Sequence, residues 1–129
     1  MNARALPPAR VVLAVDDSNT MRQMVAHVLR LGGYEVIEAA DAEAALAAAK
    51  TQKVDAVLTD HNLPGMDGLA LVRALRALPQ HVSTPIVVLT TERSEELRNA
   101  GREAGANGWM VKPFDPERLI ELFGRVLLY

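Results

Sequence analysis

The chain has 129 residues; half are hydrophobic, only 4% are aromatic, and the formal net charge is −2. That is enough for one domain with a mainly aliphatic core, and the balanced charge argues against a mainly electrostatic grip on nucleic acid. Cysteine is absent, which excludes disulfides, thiolate metal sites and cysteine nucleophiles and is compatible with a reducing cytoplasm; no apolar run approaches the roughly 20 residues of a membrane span.

Residues 1–10 carry Arg4, Pro7, Pro8 and Arg10 without the apolar stretch of a secretory signal. Residues 1–9 read as a loose arm before a domain spanning 10–129. Val11 to Val15 is a continuous apolar run, the pattern of a strand buried on both faces. It ends at Asp16-Asp17, and Ser18, Asn19 and Thr20 are good helix-capping residues. Met21, Met24, Val25, Val28 and Leu29 then recur at helical spacing and predict an apolar helix face, closed by Gly32-Gly33. Tyr34 to Glu38 is a second, more polar strand, nearer an edge. Asp41 can cap an alanine-rich helix to about Lys50.

Val54 to Thr59 predicts a third strand with Asp60 at its end and a Pro64-Gly65 turn close behind. Asp67 can cap a helix carrying Leu69, Leu71, Val72, Leu75 and Leu78, stopped by Pro79. Pro85 to Thr90 is a fourth strand. Glu92 to Ala104 is weakly amphipathic and the least anchored helix. Gly108 to Val111 is a fifth strand before Lys112-Pro113. Asp115-Pro116 opens a last helix, strongly apolar on the side of Leu119, Ile120, Leu122, Phe123, Val126 and Leu127. Five strands alternating with five helices imply an α/β fold: a doubly wound parallel sheet covered on both faces. Right-handed crossovers bring every strand's C-terminal end to one edge, where such folds keep their ligands.

That edge gathers Asp16, Asp17, Asp60, Thr90 and Lys112. Three carboxylates in one small site repel unless a cation intervenes. With no histidine or cysteine in the group, the expected ion is hard and oxygen-loving, Mg²⁺ foremost. Asp60 is then the candidate nucleophile, forming an acyl phosphate, with Lys112 balancing charge and Thr90 donating to a phosphoryl oxygen. Taken singly, each residue has an ordinary role: a solvated acid, a helix cap, a strand threonine, a surface lysine. Their convergence on one chemistry decides for function. His27, His61 and His81 read as scattered surface residues without a catalytic part, and Met21 and Met24 as helix core.

These residues carry a resemblance. The chain is similar to a receiver domain of bacterial two-component response regulators, the stand-alone chemotaxis type in particular. The markers are Val15-Asp16-Asp17-Ser18 with Thr20-Met21-Arg22, Asp60 with Leu63-Pro64-Gly65-Met66-Asp67-Gly68, Leu89-Thr90 and Val111-Lys112-Pro113-Phe114, covering roughly residues 10–128. The resemblance implies a flavodoxin-like fold with strand order 2-1-3-4-5 and phosphoryl transfer to Asp60 from a sensor histidine kinase or phosphotransfer protein. It implies Mg²⁺ on Asp17, Asp60 and the Asn62 backbone carbonyl, with Asp16 acting mostly through water, and a cis Lys112-Pro113 peptide. Asn62 and Glu92 would tune loss of the phosphoryl group, giving a signal that decays. Thr90 would move toward the phosphoryl group and let an aromatic at 109 swing inward. That aromatic is usually tyrosine or phenylalanine; here it is Trp109, bulkier and with an N–H donor, so the rotation is restricted or read differently.

Output is expected through a protein partner on the face of the fourth helix, fifth strand and fifth helix, since the chain ends soon after Phe114. The domain would catalyse only its own phosphorylation and dephosphorylation. Two rivals are a Mg²⁺-dependent phosphatase or transferase, which would need a second acid near the nucleophile, and an interaction module or phosphate sink that makes no output use of its phosphosite.

Overall fold

The computed structural model describes residues 9–127; most of the arm read onto residues 1–9 lies outside them. The chain runs β1 (Val11–Val15), α1 (Asn19–Leu31), β2 (Glu35–Ala39), α2 (Ala42–Thr51), β3 (Ala56–Asp60), α3 (Gly68–Arg76), a 3₁₀ turn (Pro79–His81), β4 (Ile86–Thr90), α4 (Glu95–Ala104), β5 (Gly108–Val111) and α5 (Pro116–Val126). The strands form one sheet in the order β2-β1-β3-β4-β5, all pairs parallel.

The apolar runs of β1, β3 and β4 make them the three inner strands, and every one of their residues is buried. Strand side chains alternate between faces, so each run feeds two cores. Leu13, Val15, Val57, Ile86 and Val88 pack with residues of α2 and α3 and with Ala104 of α4. Val12, Ala14, Ala56, Leu58, Val87 and Leu89 pack on the other face with Val25, Val28 and Leu29 of α1 and Leu119 and Phe123 of α5. A fully buried Leu or Phe contributes roughly 2 kcal/mol, and Leu13, Leu29, Leu71, Leu75, Leu119 and Phe123 are all in that class. The edge strands differ: β2 is partly polar and exposed, and β5 is half-buried throughout.

The helices start where their caps dictate. Ser18, Asp41, Asp67 and Asp115 each accept a backbone N–H in the first turn. Three expectations need correcting. The helix read from Glu92 starts at Glu95, because the Ser94 hydroxyl caps it by accepting from Leu97 N–H; Glu92 instead belongs to a turn in which its N–H donates to Thr90 Oγ1 at 3.2 Å. Met24 is 49% exposed rather than core. It lies about 100° round the helix from Val25, and Ala26 is buried on the other flank instead. Neither His61 nor His81 is a surface residue: His61 is half-buried with its Nδ1 shut off from solvent, and His81 is buried, the 3₁₀ turn laying its ring within 2.8 Å of both Thr84 Oγ1 and the Ala49 carbonyl.

Candidate functional site

Each candidate side chain reaches the site from the C-terminal end of a strand. Asp16 follows β1, and its N–H donates to the Ala39 carbonyl of β2 at 3.1 Å, which holds it to the sheet. Its Oδ1 accepts from Ser18 N–H at 3.0 Å, and Arg22 Nη1 donates to its carbonyl at 2.8 Å. Asp60 is the last residue of β3, paired with Leu89. The chain then turns tightly into α3. Gly68, the first residue of that helix, donates to the His61 carbonyl at 2.7 Å; a Cβ at Gly68 would lie 2.8 Å from His61 Cα, so only glycine permits the approach.

Carboxylate oxygens of Asp16, Asp17 and Asp60 lie within 4.8 Å of one another. Asp16 and Asp60 are buried and Asp17 is exposed, so the cluster opens outward on one side. Lys112 Nζ stands 3.2 Å from Asp60 Oδ1 and 3.6 Å from Asp16 Oδ2. The backbone N–H of Lys112 donates to the Thr90 carbonyl at 2.7 Å, and the Lys112-Pro113 peptide is cis. Burial pushes the Asp16 carboxyl above its ordinary range; the charges of Asp60 and Asp17 act the same way, while the Ser18 N–H and Lys112 pull against them. Three carboxylates thus face one ammonium in a partly dry site. The donor set is all oxygen, and its crowding is relieved by a small hard cation. The residues therefore fit Mg²⁺.

Thr90 is fully buried at the end of β4, on the sheet face shared with Val88. Asn62 and Glu92 are exposed beside the site. Trp109 is half-buried on β5 and packs on the α2–α3 side of the sheet, with its ring centroid 6.4 Å from that of His61. The structure therefore brings Asp16, Asp17, Asp60 and Lys112 into one cluster and leaves Trp109 on the far side of His61. Sequence reasoning gave no role to Gly101. It sits in the middle of α4, where glycine costs about 1 kcal/mol relative to alanine, and that cost is the signal that its place is set by packing.

Residues 12–123 match the response regulator receiver domain. The chain belongs to that family. Receiver domains of the family are phosphorylated on aspartate, bind Mg²⁺ in an acidic pocket, interact with histidine kinases or phosphotransfer proteins, and are not generally true enzymes. This receiver domain is 40% identical over 118 residues to a chemotaxis protein CheY homolog of Campylobacter jejuni, covering 90% of this chain and 91% of that one. Its fold superposes on the chemotaxis protein CheY4 of Vibrio cholerae with a TM-score of 0.90 at 48% identity, covering 93% of this chain and all of the other. It also superposes on the receiver domain of sensor histidine kinase PA1611 from Pseudomonas aeruginosa, which has a magnesium ion coordinated in its active-site cleft (TM-score 0.85, 31% identity, 93% and 98% covered). The receiver domain spans about half the length of the transcriptional regulators it also matches, 52% and 47% in two cases. Among the described residues no helix is long and apolar enough to cross a membrane.

Proposed function

We propose that Asp60 is the phosphoacceptor of this receiver domain. The observation that carries the reading is the cluster itself: three carboxylates within 4.8 Å of one another, two of them within ion-pair reach of Lys112, at the C-terminal edge of the sheet. An Asp60 carboxylate oxygen attacks the phosphorus of a phosphohistidine on a sensor kinase or phosphotransfer protein. The new O–P bond forms as the P–N bond breaks, and the imidazole leaves with that electron pair. Asp16, Asp17, Asp60 and the Asn62 carbonyl would hold Mg²⁺, which when bound offsets the charge of the carboxylates and the phosphoryl oxygens. Lys112 stays paired with Asp60 and balances the added charge. Thr90, buried beside it, supplies a hydroxyl that can turn from accepting the Glu92 N–H to donating to a phosphoryl oxygen. Asn62 and Glu92 stand in solvent, where they can steer the water that removes the group and set how fast the signal decays.

The output surface is the face of α4, β5 and α5. A groove of about 750 Å³ runs there, with Trp109, Met110 and Phe114 along it and Arg93, Arg98 and Arg118 beside them. A protein segment with carboxylates around an apolar anchor suits both features. The phosphoryl group adds roughly −1.5 to −2 charges at the C-terminal end of β3, and α4, in which only Gly101 and Ala104 are buried, is the element least resistant to shifting. Such signalling belongs to the cytoplasm.

Beryllofluoride with Mg²⁺, a stand-in for the acyl phosphate, tests this directly. Amide shifts should saturate at Asp17, Thr90 and Lys112 and extend into α4 and β5, and should vanish in Asp60→Asn. An undiminished response in that variant would overturn the assignment.

A further inference from the structure

Two buried nitrogens near the site have no hydrogen-bond partner among the described residues: His61 Nδ1 and Trp109 Nε1. A buried polar atom left without a partner costs about 1–3 kcal/mol, and so calls for a physical reason. These two belong to neighbouring rings, 6.4 Å between centroids and tilted at 49°. One is a donor only, since an indole has no acceptor; the other accepts when the imidazole proton is on Nε2. They are complementary, and with the rings in contact range a ring rotation or one bridging water can join them.

The backbone fixes where each ring can go. His61 follows Asp60, so strand alternation sends its side chain to the opposite sheet face, the one where Trp109 packs. Its main chain is pinned on both sides: its N–H donates to the Leu89 carbonyl at 2.9 Å, and its carbonyl accepts from Gly68. Trp109 is seated by a gap in α4. A Cβ at Gly101 would come within 2.6 Å of Trp109 Cζ3 and 3.0 Å of Cε3, so the six-membered part of the indole occupies the space a side chain would fill. The ring also lines the output groove and a second one beside Arg98 and Arg102.

We propose that Gly101 and His61 are the positioning residues for Trp109: glycine provides the seat, and His61 Nδ1, once a ring rotation or a bridging water joins the two nitrogens, accepts from the indole N–H and holds the ring in it. His61 is covalently next to Asp60, so whatever displaces the end of β3 reaches the groove wall through this pair. That last link rests on the reading of Asp60 as phosphoacceptor; the seat and the hydrogen bond do not.

The chain has a single tryptophan, so its fluorescence and its one indole N–H resonance report this ring alone. In metal-free protein His61→Leu should lower the protection of the indole N–H against exchange by about tenfold, the worth of one hydrogen bond, and shift emission to the red. His61→Asn, which places Oδ1 where the imidazole has Nδ1, should restore most of the protection. Gly101→Ala should redden emission with His61 intact. Unchanged exchange in His61→Leu, or His61→Asn behaving like leucine, would overturn the hydrogen bond; unchanged emission in Gly101→Ala would overturn the seat. Beryllofluoride with Mg²⁺ should then move the indole resonance in the unaltered chain and at least several-fold less in His61→Leu. An equal shift in both would overturn the link to Asp60. A wild-type chain whose Asp60 amide never responds would instead refute the phosphoacceptor reading and leave the metal-free results standing.

Discussion

The two edges of the sheet are built on opposite principles. At the N-terminal edge the polar groups are partnered. Arg76 at the end of α3 donates to the carbonyls of His81, Thr84 and Gly105 and to Asn107 Oδ1, all between 2.6 and 3.1 Å. Asn107 Oδ1 also accepts from Ile86 N–H, and the buried His81 ring bridges Thr84 to the end of α2. This clamp ties α2, α3, β4 and the α4–β5 connection together, and it holds although burial pulls the Arg76 guanidinium below its usual pKa. At the C-terminal edge the same sheet presents crowded carboxylates, a raised Asp16 and two unpartnered ring nitrogens. One edge spends its polar groups on holding elements in place. The other leaves interactions unsatisfied that a cation, a phosphoryl group or a ring movement can complete, and strain of that kind gathers at working sites.

The comparison breaks most visibly at Arg76. Arg76→Ala strands several carbonyls and an amide oxygen and should cost on the order of 3 kcal/mol, read as a lower urea midpoint at constant slope. Mg²⁺ binding should survive, because the clamp and the acids are at opposite ends of the strands. Loss of Mg²⁺ affinity to the same degree would mean that the two edges are not separable.

A smaller effect of opposite sign is expected at Asp16. Its carboxyl is raised in the folded protein, so between the ordinary carboxylate range and that raised value the folded state binds more protons than the unfolded one. Stability of the metal-free protein therefore falls as pH rises through that window. Asp16→Asn should remove that fall and raise the metal-free melting temperature at neutral pH by about 3 °C, while weakening Mg²⁺ binding. A melting temperature that drops in the variant would show that the Ser18 and Lys112 contacts outweigh the crowding.

The same contrast explains what could be read from the sequence. The inner strands were legible because β1, β3 and β4 are unbroken apolar runs, and the caps at Ser18, Asp41, Asp67 and Asp115 announce their helices. The acids and Lys112 were legible because each ends a strand, and parallel topology carries strand ends to one edge. His81 was not, since a single histidine in a loop has no period and its burial depends on the 3₁₀ turn closing under α2. Met24 is apolar at helical spacing, but the buried face of α1 is rotated toward Ala26, which that spacing does not show. The start of α4 is set by the Ser94 cap, which the longer polar run from Glu92 masks. The His61–Trp109–Gly101 arrangement joins three separate elements, and no local pattern along the chain announces it.

The most direct measurement is covalent. The protein should be incubated with a phosphohistidine donor and Mg²⁺, and the modified residue located by mass. A single phosphoryl group on Asp60, hydroxylamine-labile as an acyl phosphate is, and absent from Asp60→Asn and from metal-free samples, is the predicted result; a phosphoryl group at any other residue, or none on Asp60 with Mg²⁺ present, would contradict it.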